Sequence, residues 1–375
     1  MIRSFAIFPA FILWSVVAGC QEPELNPTPP TSESAILSDY VQLTHGFARA
    51  GEAYFSPDMK WIIFQASMKM EEDYSMYLAQ LKWSADQISG IDTPIRISPE
   101  GSWNSCGYFS PDGNSLIFAS SRKPLVKDAP APTTAGSGRS RYAWAMPKEA
   151  EIFRAEGWKG SIAALAPGGS ADLAQVQLTH NDAYDAEGSY SPDGQWVVYG
   201  SKATGDAEVW AMRADGSKQV QLTHNPGTDG GPYFSPDGKR ITFRADRKSD
   251  QLVQVFVADL VFDGAGNITG IQNEKQLTQP LDQRLSPDAT INWTPYWHPD
   301  NHHLVWASTA HGHANWEVYL MRDDGSRKTR ITFTNGFDAL PVISPDGKWM
   351  MWTSARGAEK TTQIWVARFK MPKGS

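Results

Sequence analysis

Short runs of β-branched, aromatic and apolar residues recur along this chain, each set against the same polar tetrapeptide. Ser-Pro-Asp-Gly stands at 110–113, 191–194, 235–238 and 344–347. Two degenerate copies, Ser56-Pro57-Asp58-Met59 and His298-Pro299-Asp300-Asn301, complete a series of six. A further Ser286-Pro287-Asp288 lacks flanking strand patterns and reads as a loop. Most anchors follow an aromatic or apolar pair such as Tyr54-Phe55, Tyr108-Phe109, Tyr233-Phe234, Tyr296-Trp297 or Val342-Ile343. Each precedes a β-type run, as in Trp61-Ile62-Ile63-Phe64 and Trp196-Val197-Val198-Tyr199. The anchor has the chemistry of a tight turn: Pro presets φ, Asp bonds its own backbone, and Gly accepts positive φ. Asn301 tolerates that last conformation. Met59 does so poorly, which predicts another geometry for the first turn.

A third strand follows in every unit: Tyr74 to Leu81, Glu151 to Arg154, Glu208 to Arg213, Val253 to Leu260, Glu317 to Arg322 and Gln363 to Phe369. A short fourth carries a Gln-Leu-Thr-like signature, at Gln177-Leu178-Thr179, Gln221-Leu222-Thr223, Gln276-Leu277-Thr278 and Arg330-Ile331-Thr332. Asp215-Gly216 and Asp324-Gly325 are hairpin turns joining third strand to fourth. Four strands in a unit of about 45 residues is the signature of a propeller blade. Gln42-Leu43-Thr44 precedes the first anchor, whereas the last unit stops after its third strand. The chain is therefore read as all-β, a six-bladed β-propeller with four-stranded blades over residues 41–370. The strand at Val41 to Leu43 completes the last blade and removes both free sheet edges. An open solenoid would need caps, and none is visible.

The Leu-Thr strand, the Ser-Pro-Asp-Gly turn and the Asp-Gly turn resemble the WD40-like repeats of the TolB family, over about residues 41 to 369. The resemblance implies the propeller fold. It leaves function open, because similar blades serve envelope scaffolds, prolyl-peptidase propellers and lyases. TolB has an additional N-terminal α/β domain. Here residues 20–40 hold Pro23, Pro27, Pro29 and Pro30 among polar residues, the composition of an extended tether. The expectation is a lipoprotein made of the propeller alone.

The first nineteen residues read as its address. Arg3 is followed by an apolar run from Ser4 to Val17, too short for a comfortable membrane span. The run ends in Val17-Ala18-Gly19-Cys20, which looks like a bacterial lipobox. Cleavage would leave Cys20 as the lipidated first residue, with 1–19 as signal peptide. The protein is then expected at the cell envelope on a lipid anchor, at the outer membrane or the periplasmic face, as a monomer.

Composition narrows the partners. Lys and Arg number 34 against 41 Asp and Glu, a formal net charge of −7. That balance argues against nucleic acid, which needs a basic surface. Two cysteines, Cys20 and Cys106, supply neither a disulfide framework nor a cysteine-rich zinc site. There is no Gly-x-Ser-x-Gly, His-Glu-x-x-His, Walker loop or Cys-x-x-Cys, so binding is favoured over catalysis.

Register supplies the candidate site. Six residues before each anchor stand Ala50, Asn104, Asp185, Asp229, Asn292 and Asp338. These open the innermost strands and are expected at one mouth of the central channel. Glu52 and Glu187, two residues nearer their anchors, would add charge there. Such a mouth suits a cation, a sugar or a basic peptide; the same residue types also cap loops. In the fifth blade His311-Gly312-His313 could chelate a divalent cation. No other cofactor is expected. An insertion at 122–149, bearing Arg139, Arg141, Tyr142 and Trp144, reads as a basic-aromatic lid or as a packing excursion. The favoured function is a protein- or glycan-binding envelope scaffold. The alternative is a lyase or hydrolase acting on polysaccharide through the fifth-blade histidines.

Overall fold

The Ser-Pro-Asp anchors close five of the six hairpins in one way in the computed structural model, which describes residues 32–70, 72–124, 146–281 and 289–375. Cys20, most of the insertion and the Ser286-Pro287-Asp288 segment lie outside the described residues. The Ser56, Ser110, Ser191, Ser235 and Ser344 hydroxyls each donate to the carboxylate two residues on, at 2.5–2.6 Å. Each also accepts the amide five residues on, fixing the start of the next strand. The fourth turn residue is left-handed in every copy, Met59 included (φ 55°). The first turn therefore shares the common geometry, contrary to expectation. Its steric cost of roughly 1–2 kcal/mol is offset by the Ser56–Asp58 bond and by Met59 packing on the first-blade core.

Each anchor joins an innermost strand to a second strand. The innermost strands are Arg49–Phe55, Asn104–Phe109, Asp185–Tyr190, Asp229–Phe234, Asn292–Trp297 and Asp338–Ile343. The described residues form six antiparallel sheets in which these strands lie on the inside and sequence order runs outward, save for the outer strand of the last sheet. Third strands run Ser75–Ser84, Glu151–Glu156, Glu208–Arg213, Gln254–Phe262, Glu317–Arg322 and Gln363–Phe369. The first blade departs from the pattern. Its outer strand is Ile95–Arg96, without the Gln-Leu-Thr signature, and an extra strand, Gln87–Ile91, extends the third into a long hairpin. A short helix, Trp158–Ile162, interrupts the second blade, its Trp158 indole donating to the Gly113 carbonyl at 3.2 Å.

The ring closes as a strand swap between the two ends of the chain. Leu37–Gln42 pairs with the last strand, Leu37 opposite Phe369 and Gln42 opposite Trp365, and the Leu43 amide donates to Ile364 O at 2.8 Å. The closing strand starts earlier than Val41 because Ile36 and Leu37 are buried in the core of the fifth and sixth blades. Just before it, Glu33 accepts from Arg356 at 2.6 Å and from the Phe333 amide at 2.8 Å, stapling the entering chain to both blades.

Within the blades, the signature threonine is the recurring polar contact. Thr44, Thr179, Thr223, Thr278 and Thr332 each accept a third-strand amide, at 2.8–2.9 Å. Ser98 plays this part in the first blade. Four of the threonines also donate to a buried side chain opening the third strand: Gln363, Glu208, Gln254 or Glu317. Apolar faces then pack blade on blade, as Val198, Val209 and Leu222 pack against Ile241, Phe243 and Phe256. No helix among the described residues is long and apolar enough to cross a membrane.

Thr223→Val keeps the shape but orphans the Val209 amide and the Glu208 carboxyl. It should cost about 1–3 kcal/mol, read as a lower urea midpoint at unchanged slope. An unchanged midpoint would contradict this role for the threonine.

Candidate functional site

Every innermost strand breaks its pairing with the second strand at the same place, one extra residue bulging between the two paired segments. The bulging residues, four before each anchor, are Glu52, Cys106, Glu187, Gly231, Thr294 and Leu340. All are left-handed, with φ between 47° and 61°. Bulges re-aim side chains, and here all six residues line one cavity of about 430 Å³ at the inner end of the ring. Its floor is a layer of tyrosines. The Tyr54 and Tyr233 hydroxyls bond to each other, and Tyr108 and Tyr296 meet at 3.2 Å. Beyond that layer a second cup of about 330 Å³ is lined by the six turn prolines, Pro57 to Pro345. The central channel is therefore two cups back to back.

The first cup carries the chemistry. Arg244, from the second strand of the fourth blade, reaches in and bonds Glu187 at 2.5 Å. It can enter because its neighbour is Gly231, where a Cβ would lie 2.3 Å from its Nη1. The Gly231 amide completes the grip on Glu187 at 2.7 Å. Glu52 has no arginine. It accepts from the Tyr54 hydroxyl at 3.3 Å, and burial pushes its carboxyl up to about 7. Burial and the nearby carboxylates also push the Cys106 thiol up, so it stays protonated and is a poor nucleophile. Trp103, Tyr184, Trp293 and Phe337 give the wall aromatic faces. Met146, at the end of the insertion, also lines the cavity.

Of the residues expected at the mouth, Ala50, Glu52 and Glu187 line this cavity. Asn104, Asp185, Asp229, Asn292 and Asp338 do not; each is at most 1% exposed and sits at the joint between two blades. The physical reason is the bulge. It breaks the two-residue period of the strand, so residues two apart face different places. Asn104 donates to Tyr74 O of the preceding blade at 3.0 Å, and Asn292 donates to Gln254 at 2.9 Å. Asp185 is bonded by Asn181, Asp229 by Arg247, and Asp338 by Arg356 and the Trp352 indole. Burial raises all three aspartate carboxyls. His311 stacks on Tyr319, with ring centroids 6.2 Å apart. No group of three or more His, Cys, Asp or Glu among the described residues could hold a metal ion, so His311 and His313 have no third ligand of that kind. His298 and His303 instead flank Asp300 within the turn, at 3.2 and 2.7 Å.

Sequence reasoning missed Arg244 and the two wall tryptophans. The doubled glycine Gly230-Gly231 at a bulge position was the available signal for the arginine.

The fold and the cup define a closed six-bladed propeller with one polar, aromatic-walled cavity. In structure the chain is similar to the propellers of TolB. A TolB candidate from Agrobacterium tumefaciens aligns with TM-score 0.52 and 19% identity, covering 86% of this chain and 91% of that one. TolB from Acinetobacter baumannii aligns with TM-score 0.51 and 15% identity, covering 88% and 66%. No family model matches the sequence. The uncharacterized protein Atu1656 of Agrobacterium fabrum is 40% identical over 43 residues, which is 12% of this chain and 15% of that relative.

The joint between the second and third blades gives a pH prediction. Burial, helped by neighbouring Asp185, raises Glu151 to about 7. Its folded pKa lies above the unfolded value, so the native state binds the extra proton and loses stability as pH rises through 7. Glu151→Gln imitates the neutral form, as Gln254 and Gln363 already do in their blades. At pH 8 the variant should melt roughly 2 °C above wild type, with the gap narrowing as pH falls through 7 and closing only at about pH 4, below the unfolded carboxyl value. A gap independent of pH would contradict the assignment.

Proposed function

We propose that this chain is a TolB-like lipoprotein of the bacterial cell envelope, anchored through Cys20, whose propeller binds a protein or cell-wall glycan partner at the cavity face. The observation that carries the reading is the tyrosine floor: it turns the channel into a cup with a bottom, the form of a binding site rather than of a conduit. The walls support it, since aromatic faces beside a few fixed polar groups are the usual makeup of recognition pockets. The Val17-Ala18-Gly19-Cys20 motif and the Pro-rich segment after it support the anchor and a tether. The propeller acts as a monomer, and nucleic acid is not among its partners.

The test uses full-length protein expressed in bacteria. Labelled palmitate should mark wild type and not Cys20→Ser. Wild type should then recover a defined envelope protein or glycan fragment, and Trp103→Ala with Trp293→Ala should reduce that recovery at least tenfold. Equal recovery by the double variant would contradict the cavity face, and labelling of Cys20→Ser would contradict the anchor.

A further inference from the structure

Two of the three acids lining the cavity, Glu52 and Glu187, stand on bulges and are treated differently by the fold. Glu187 is fully engaged, by Arg244 at 2.5 Å and the Gly231 amide at 2.7 Å. Glu52 stands on the equivalent bulge of the first blade; Arg244 acts on it only through space, its ion pair going to Glu187. The other cation at this mouth, Arg49, is committed elsewhere. It donates to Ser67 at 3.1 Å and to Glu72 O at 2.8 Å, and lies 4.3 Å over the Tyr74 ring. The remaining titratable groups facing Glu52 or the cavity around it are neutral or acidic: Tyr54, Cys106, Tyr184, Tyr233, Tyr74 and Asp73. A buried carboxyl without a cation must stay protonated or receive a cation from outside.

The space around it fits the second option. A cavity of about 430 Å³ is within the size range of small-molecule sites. Its tryptophan and tyrosine walls are the groups that attract a desolvated ammonium. The Tyr54 hydroxyl, bonded to that of Tyr233, also donates to Glu52 at 3.3 Å, which sets this acid beside the floor.

We infer that this cavity binds an alkylammonium group, which pairs with Glu52 between the aromatic walls while Glu187 and Arg244 form its fixed, neutral far side. The assignment rests on the cavity being the binding face. It adds the chemistry of what enters: the amine of a small diamine, or a lysine side chain presented by a partner protein. Binding releases the proton held by Glu52, so affinity rises with pH.

The experiment is calorimetric titration of the full chain with cadaverine, with acetyl-Gly-Lys-Gly-amide and with the same peptide carrying norleucine in place of lysine, at pH 6 and pH 8. With the Glu52 carboxyl at about 7, the amine probes should bind about tenfold more tightly at pH 8, with proton uptake by the buffer. Norleucine peptide should not bind. Glu52→Gln should lose at least tenfold of the pH 8 affinity while melting no lower than wild type at that pH. Tighter binding of the peptide assigns the group to a partner's lysine, and tighter binding of cadaverine assigns it to a free amine. The inference is overturned if neither amine binds at millimolar concentration, if affinity is flat with pH, or if Glu52→Gln binds equally. Those outcomes leave the binding face standing if the tryptophan variants still abolish partner recovery.

Discussion

A propeller has no structure to speak of until its ring is closed. Each blade presents one face to the blade before and one to the blade after, and an open array would leave two apolar faces and two strand edges in water. Here closure rests on one antiparallel pairing, between Leu37–Gln42 and Gln363–Phe369. Residues more than three hundred positions apart meet there, so the loop entropy is paid late and the chain gains the rest of its order cooperatively. Thr44 repeats at this seam what its counterparts do elsewhere, accepting the Ile364 amide and donating to Gln363. The seam is thus built as an ordinary blade whose outer strand comes from the other end of the chain.

The bulges turn that ring into a site. Without them the innermost strands would alternate regularly, and the residues now in the cavity would face a neighbouring blade. Five non-glycine residues hold left-handed φ to make the redirection, a recurrent strain of the sort proteins keep where function needs it. Because the device is repeated, chemistry at the cavity varies blade by blade at little structural cost. Acid, thiol, acid, glycine, hydroxyl and alkyl groups follow one another round the ring on the same backbone. The acids and the thiol fall on the first three blades, and Arg244 fills the space left by the glycine of the fourth.

The architecture was legible because its signals are local and repeated. Pro and Gly positions dictate turn geometry, and a threonine with two bonding roles marks the outer strand. The outer strand of the first blade escaped because Ser98 stands where the other blades have threonine, although Arg96-Ile97 precede it as Arg330-Ile331 precede Thr332. The site was legible only in part. Counting back from the anchors found the right strands, and it found Glu52 and Glu187. It placed Asn104, Asp185, Asp229, Asn292 and Asp338 at the mouth because counting assumes an unbroken pleat, and the bulge that sends them into the joints has no residue signature of its own. Glutamate, cysteine and leucine all occupy it. Arg244 was hidden for another reason: its role depends on a glycine in a different strand.

The central claim is that the two ends of the chain share one sheet and that this pairing holds the ring. Amide hydrogen exchange on the full chain addresses it most directly. The Leu43 and Ile364 amides should exchange as slowly as those of Leu222 and Ile331 in the interior blades, opening only with global unfolding. Fast exchange at Leu43 and Ile364, with the interior blades still protected, would show a ring that stands without its closing strand and would contradict the account.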